Sequence, residues 1–486
     1  MTAPAPAPTL SAPTLSQTVA RFAVEAAAGQ VPEAVRASVR QRILDVLGLC
    51  VAGRALDTSA AALAFVAEQG GTGRAHVVGD PNPVPAALAA FANGVLAHSL
   101  DYDDTHLPSV LHPSASVVPA ALAAAEDNDA SGDLLIAAIA AGLEVCVRIG
   151  MAGYVPESGN SVFFEHGQHA TSICGAVGSA VAAALLGGAD EAEVAHAIGI
   201  VASLSSGIIE ANRTGGTVKR LHCGWAAQAG VSAARLVRHG FTGPPTVFEG
   251  RFGFFQAFLH GEYRPEAITD GLGTDWEVPR IFFKPYPANH FTHTIVDAAA
   301  ELRRQGLAPA EVESLEIGVP APVVRTVGEP IEKKRTPSTP YEAQFSGPYA
   351  AVVGLFGGGG LGAALADYAP AHLADPARQE LMRRTTVVAD EECTSIYPHQ
   401  FPAVIRARST DGREWTAKAL VNRGGVDNPL TDEEIARKFT DNAGPVLGDT
   451  TAQRVVAAVA GLGTTTEVGE LLALTARQND STEETE

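Results

Sequence analysis

The chain has 486 residues, 46% hydrophobic and 18% charged, with 49 glycines. Its length exceeds the usual size of one core and predicts a large domain plus a smaller one, while the composition excludes a disordered chain. The formal net charge of -20, from 34 basic and 54 acidic side chains, argues against nucleic acid or an anionic membrane as the main partner. A small anionic substrate would need a local cluster of cations.

The opening MTAPAPAPTLSAPTLSQ lacks a positive n-region and an apolar h-region, so residues 1–14 read as a flexible tail and not a signal peptide. From 15 to 275 the pattern is helical. It begins with PEAVRASVRQRILDVLGLCVAG, where Val35, Val39, Ile43, Val46 and Leu47 recur at helical spacing behind Pro32. The apolar run Ile173 to Gly188 falls short of the roughly 18–20 residues that span a bilayer and predicts a buried helix. From 276 to 427 the texture changes: VESLEIGV, RTTVVAD and FPAVIRARS are short, alternating and β-branched, predicting a smaller α+β domain. NPLTDEEIARKFTDNA returns to a helix capped by Thr431, and residues 428–475 are expected to pack back on the helical domain. Residues 476–486 read as a solvated tail. The fold class is therefore mainly α, a large all-α domain with a smaller α+β one.

Cys50, Cys146, Cys174, Cys223 and Cys393 are far apart and form no C-x-x-C pair, so neither a disulfide framework nor a cysteine zinc site is indicated, and a reducing cytoplasm is expected. Gly357, Gly359 and Gly362 in FGGGGLGAAL satisfy G-x-G-x-x-G, but no strand–turn–helix context surrounds them, and the stretch reads as a connection.

The stretch HSLDYDDTHLPSVLHPSAS, residues 98–116, holds the densest chemistry. Pro108 and Pro113 prevent one helix from carrying His98, Asp101, Thr105 and His112 together, so it must be a helix end followed by a loop. No H-E-x-x-H or paired C-x-x-C spacing supports a metal. Asp103 and Asp104 read equally well as capping residues.

Lysine usage discriminates further. Only six lysines occur, and arginine supplies the other 28 basic residues. Lys333, Lys334, Lys418 and Lys438 read as solvated surface. Lys219 in GGTVKRLHCG and Lys284 in IFFKPYPANHFTH stand amid glycine, proline, aromatic and histidine residues, where a compact charge suits gripping a carboxylate or moving a proton. His169 precedes an apolar helix, and Tyr349 lies in a comparable polar segment. Asp101, His112, His169, Lys219, Lys284 and Tyr349 together would make a cation-rich pocket with an acid and a base. No G-x-S-x-G or S-x-x-K nucleophile motif is present. Such equipment suits proton transfer next to a carboxylate, with loss of water, loss of carbon dioxide or reprotonation.

Six stretches in order, AAFANGVLAHSLDYDDTHLPSVLHPSASVVPAALA, HGQHATSICGAVGSAVAAALLG, KRLHCGWAAQAG, KPYPANHFTH, AQFSGPYA and RGGVDNPLTDEEIARKF, resemble the MmgE/PrpD family, which includes 2-methylcitrate dehydratases, cis-aconitate decarboxylases and iminodisuccinate epimerase. The resemblance runs from about residue 15 to 465. It implies a helical domain, an α+β lid, a homodimer, a site between the domains, and no metal or organic cofactor. By the same resemblance, Asp101, His112, His169, Lys219, Lys284 and Tyr349 are catalytic, and Thr105, Lys219, Lys284 and Tyr349 bind substrate. The expected function is a cofactor-independent lyase of a small di- or tricarboxylate, with an epimerase, a metal-dependent hydrolase using the His/Asp cluster, and a non-catalytic carboxylate-binding protein as alternatives.

Overall fold

The computed structural model describes residues 12–476 other than Ser158. Of the two expected tails, residues 1–11 and 477–486 lie outside the described residues. Thr14 belongs to the fold: it is buried and closes a capping box with Gln17 at the start of the Leu15–Glu25 helix.

The chain is mainly α. One large core is built from the helices Glu33–Gly53, Ala86–His98, Ser114–Asn128, Gly132–Ala152, Ala170–Leu186 and Val218–Arg238. Small residues let these helices meet backbone to backbone. A Cβ on Gly94 would lie 2.7 Å from the Gly224 Cα, and one on Gly224 would lie 2.4 Å from the Phe91 carbonyl oxygen. Alanine at either position would wedge the two helices apart. That crossing sets the C-terminal end of Ala86–His98 against the first turns of Val218–Arg238, where Arg220 Nε donates to the Ser99 carbonyl at 3.2 Å. Every residue of Ala170–Leu186 is buried. Gly132–Ala152 is long and apolar enough to cross a membrane, but 89% of its most apolar window is buried inside the fold, as befits a core helix.

A second core forms around a four-stranded sheet in the order Thr385–Ala389, Val312–Val319, Ala403–Ser409, Glu414–Ala419. The first pair is parallel and the other two antiparallel. His293–Arg304 and Gly347–Phe356 pack together and cover this sheet. Trp276, Val278, Ile281 and Phe283 still belong to the large core, and the second core begins at Tyr286.

The glycine-rich stretch has a structural occupant. The Asp367 carboxylate accepts from the backbone N–H groups of Gly359 and Ala364, each at 2.8 Å, filling the place an anion would take in a phosphate loop.

Helix Asp432–Leu447, capped by Thr431 with Glu434, lays Ile435, Phe439 and Ala443 into the large core. Lys438 shares that inward face, which corrects its reading as a surface lysine. It is 2% exposed, 2.6 Å from Asp45, and donates to the Tyr102 carbonyl at 3.1 Å. Lys334 is half-buried and donates to the Phe345 carbonyl, whereas Lys418 pairs with Glu392 in solvent.

Candidate active site

The site grows from the loop after Ala86–His98. Asp101 has φ of 53°, the left-handed region that aspartate tolerates better than most residues. Such a conformation persists only when its neighbours over-determine it. Lys284 Nζ donates to the Asp101 carbonyl at 2.8 Å, and Tyr102 Oη donates to the Pro285 carbonyl at 2.9 Å. Arg42 donates to the Asp104 carboxylate at 2.9 Å, and Ser114 caps the same group. Thr105 exchanges backbone hydrogen bonds with Phe282 at 2.9 and 2.8 Å. Asp104 is thus a buried anchor for Arg42, and Asp103 accepts from His98 Nδ1 at 2.7 Å.

At the centre, the Asp101 carboxylate lies 3.3 Å from both Lys219 Nζ and Lys284 Nζ. Burial alone would raise the Asp101 pKa, but the two lysines, with His112 and His98, outweigh it and hold the carboxyl well below its usual range. Burial works against the Lys219 ammonium, and Asp101 more than compensates, so its pKa is raised. The trio keeps an excess of one positive charge inside a strongly acidic protein.

Histidines line the neighbourhood. His98 and His112 have ring centroids 5.3 Å apart, and His98 and His169 lie 6.1 Å apart. His112 Nδ1 donates to the Asp104 carbonyl at 2.6 Å, which fixes its tautomer and leaves Nε2 as an acceptor. Burial, opposed by Asp103, pushes the His112 pKa down to about 3. His169, the N-cap residue of Ala170–Leu186, is pushed well below its ordinary value by burial and by His222. Both rings are neutral near pH 7. Thr105 Oγ1 is buried without a hydrogen-bond partner.

The structure therefore brings Asp101, His112, His169, Lys219 and Lys284 into one neighbourhood, and ties Thr105 by its backbone to Phe282, two residues before Lys284. Tyr349 stands apart. It is fully buried in the second core, its hydroxyl donates to the Asp367 carbonyl, and its ring lies 5.6 Å from Tyr368. The helix Gly347–Phe356 turns it inward toward the Leu365–Tyr368 turn, so its expected place at the carboxylate centre is not where the fold puts it. Tyr341 is 42% exposed, with Arg220 5.4 Å from its ring and Phe345 5.0 Å from it, on the side of the molecule that carries Lys219's neighbour Arg220. His98, Asp103 and His222 are further members that the sequence reading did not select. His222 had a signal, since it follows Lys219 by three residues and shares its helix face.

Among the described residues, no three His, Cys, Asp or Glu side chains are grouped to hold a metal ion. The potential donors are turned on one another or on backbone carbonyls.

Residues 17–266 match the MmgE/PrpD N-terminal domain, and residues 286–463 match the MmgE/PrpD C-terminal domain. The chain belongs to the MmgE/PrpD family. Similar proteins include the cis-aconitate decarboxylase-like protein oryM of Aspergillus oryzae, 28% identical over 91% of this chain and 94% of that protein. Human cis-aconitate decarboxylase is 27% identical over 89% of each chain, and that of Aspergillus terreus 25% identical over 94% of each. In this MmgE/PrpD chain, Asp101, His112, His169 and Lys219 come from the N-terminal domain and Tyr341 from the C-terminal one. Lys284 sits in the segment that joins them.

Proposed function

We propose that the protein is a cofactor-independent lyase acting on a small di- or tricarboxylate, by proton transfer next to a carboxylate, in the manner of a cis-aconitate decarboxylase or a 2-methylcitrate dehydratase. The observation that carries this reading is the Asp101 carboxylate held between two lysine ammonium groups, beside two neutral histidines. A substrate carboxylate would compete with Asp101 for Lys219 and Lys284. Charge developing on the neighbouring carbon, whether carbon dioxide or a proton departs, would spread into that bound carboxylate. His112 and His169 are the acid/base candidates, each worth roughly 10²- to 10⁴-fold. Thr105 is assigned to bond the substrate, a reading supported by its buried, unpartnered Oγ1. The relatives that are cis-aconitate decarboxylases favour decarboxylation over dehydration.

Five free, buried cysteines agree with a reducing compartment such as the cytoplasm. A homodimer is also proposed, supported by the exposed stripe Val218, Leu221 and Trp225 on one helix. A monomer in sedimentation at micromolar concentration would contradict it.

The deciding experiment is proton NMR in heavy water with citrate, 2-methylcitrate, cis-aconitate, itaconate and iminodisuccinate. New vinyl signals establish elimination or decarboxylation. Loss of an α-proton signal without new products establishes the epimerase alternative. Turnover that vanishes after chelation and returns with a divalent cation would refute cofactor independence.

A further inference from the structure

His169 does not stand alone. Its Nδ1 lies 2.8 Å from Nδ1 of His222, with the two ring centroids 4.8 Å apart. Two imidazoles at that distance share one proton: one ring donates Nδ1–H and the other accepts. The pair is held from both sides. Ser172 Oγ donates to the His222 carbonyl at 3.1 Å, tying Ala170–Leu186 to Val218–Arg238 beside the rings. His169 N–H donates to the Gly207 carbonyl at 3.0 Å. Gly207 has φ of 140°, and a Cβ there would stand 2.9 Å from Ser172 Cβ and 3.4 Å from His169 Cβ. A side chain at 207 would therefore push on the histidine itself.

Burial, helped by the groups around them, keeps both rings neutral. His169 is faced by His222, His98, Lys219 and His112, and His222 by His98 and Lys219. Burial comes first among the causes, and it lowers the His222 pKa to about 4. The two rings differ in access: His169 is 2% exposed and His222 6%. Both are buried, and His222 is the less buried of the two.

We propose that His169 and His222 form a proton relay between substrate and solvent, with His169 the catalytic member and His222 the positioning and exchange member. The inference rests on the lyase reading above. In the abstraction direction, a substrate C–H bond breaks, its electron pair stays on the substrate, and the proton bonds to His169 Nε2. His169 passes its Nδ1 proton to His222 Nδ1 and is again neutral. His222 releases its Nε2 proton to water. Run backwards, the same transfers carry a solvent proton to a carbanion left by departing carbon dioxide. Each passage leaves the pair in the opposite tautomer, with His169 carrying Nε2–H and accepting at Nδ1 from His222, and a passage in the reverse direction restores the first.

Two measurements test it. In protein labelled with nitrogen-15 histidine, the resting enzyme should show a downfield proton coupled to both Nδ1 atoms, and both His222→Gln and His169→Gln should lose it. Absence of that resonance from the folded wild-type protein overturns the relay whatever the substrate, so a failed lyase reading remains separable. In turnover of the active carboxylate, His222→Gln should lower kcat about 10- to 100-fold with KM within about threefold. Added imidazole should restore His222→Ala in proportion to its concentration. Wild-type kcat in His222→Gln, or a loss in a variant of unchanged Tm that imidazole does not relieve, overturns the proposal.

Discussion

At Asp101 two ammonium groups meet one carboxylate, 3.3 Å from each. Removing either cation leaves the other neutralised by Asp101 and nothing to attract a substrate carboxylate. Lys284→Met or Lys219→Met should therefore lower kcat/KM by roughly 10²-fold or more in steady-state kinetics, with the Tm of Lys219→Met within a few degrees in thermal melts. Full activity in either variant would remove that lysine from the mechanism. Tyr349 makes the opposite case. Its hydroxyl serves the Asp367 carbonyl, so Tyr349→Phe should cost about 1–3 kcal/mol in denaturant unfolding. Turnover of that variant should stay within about twofold. A large loss of turnover at wild-type stability would return Tyr349 to the site. The residues legible in the sequence were those whose type is unusual for their surroundings: scarce lysines among glycines and aromatics, and an aspartate and histidines in a proline-broken stretch. That Tyr349 lies away from the carboxylate centre could not be read that way, because it depends on how Gly347–Phe356 packs beside Asp367 and Tyr368.

At the scale of elements, the loop after Ala86–His98 is clamped by chain segments far apart in sequence. Arg42 holds Asp104 from one side, while Lys438, paired with Asp45, holds the Tyr102 carbonyl from the C-terminal helix. Burial lowers the Lys438 pKa, with Asp45 opposing it in part. Lys438→Met leaves Asp45 buried and unpaired and should cost about 3–5 kcal/mol in chemical denaturation. Adding Asp45→Leu should recover most of that loss, and a double variant no more stable than the single one would refute the pairing. Lysine 438 read as surface because KF in a charged helix gives no hint of a buried acid some 390 positions earlier. The strands VESLEIGV and FPAVIRARS were legible from their alternation. Glu414–Ala419 was missed, since its inward-facing positions include only one fully buried residue, although Asp411–Gly412 marks a hairpin before it.

At the scale of the whole molecule, the fold class was legible because small-residue helices and a later β-branched texture differ in period. The seam between the cores was not, because Trp276 to Phe283 are apolar and serve the large core while running toward the sheet. Folding buries several neutral histidines, whose joint effect on acid stability outweighs the opposite one of the Glu144 carboxyl, pushed up to about 7 by burial. His112 and His293 are lowered to about 3 and His222 to about 4, in each case chiefly by burial. Between about pH 4 and the ordinary histidine value near 6.5, the unfolded chain binds protons that the native state refuses. Stability should therefore rise with pH across that window and level off above about 7, as read by Tm against pH; a flat profile from pH 4.5 to 7 would contradict the buried neutral rings. The central claim, that a dilysine–aspartate centre between two domains performs metal-free lyase chemistry, is tested most directly by one measurement. It is the proton NMR time course of cis-aconitate in heavy water with chelator-treated wild-type protein beside Lys284→Met. The account predicts deuterium-bearing vinyl product from the wild type and almost none from the variant; unchanged substrate in both, or equal turnover in both, would contradict it.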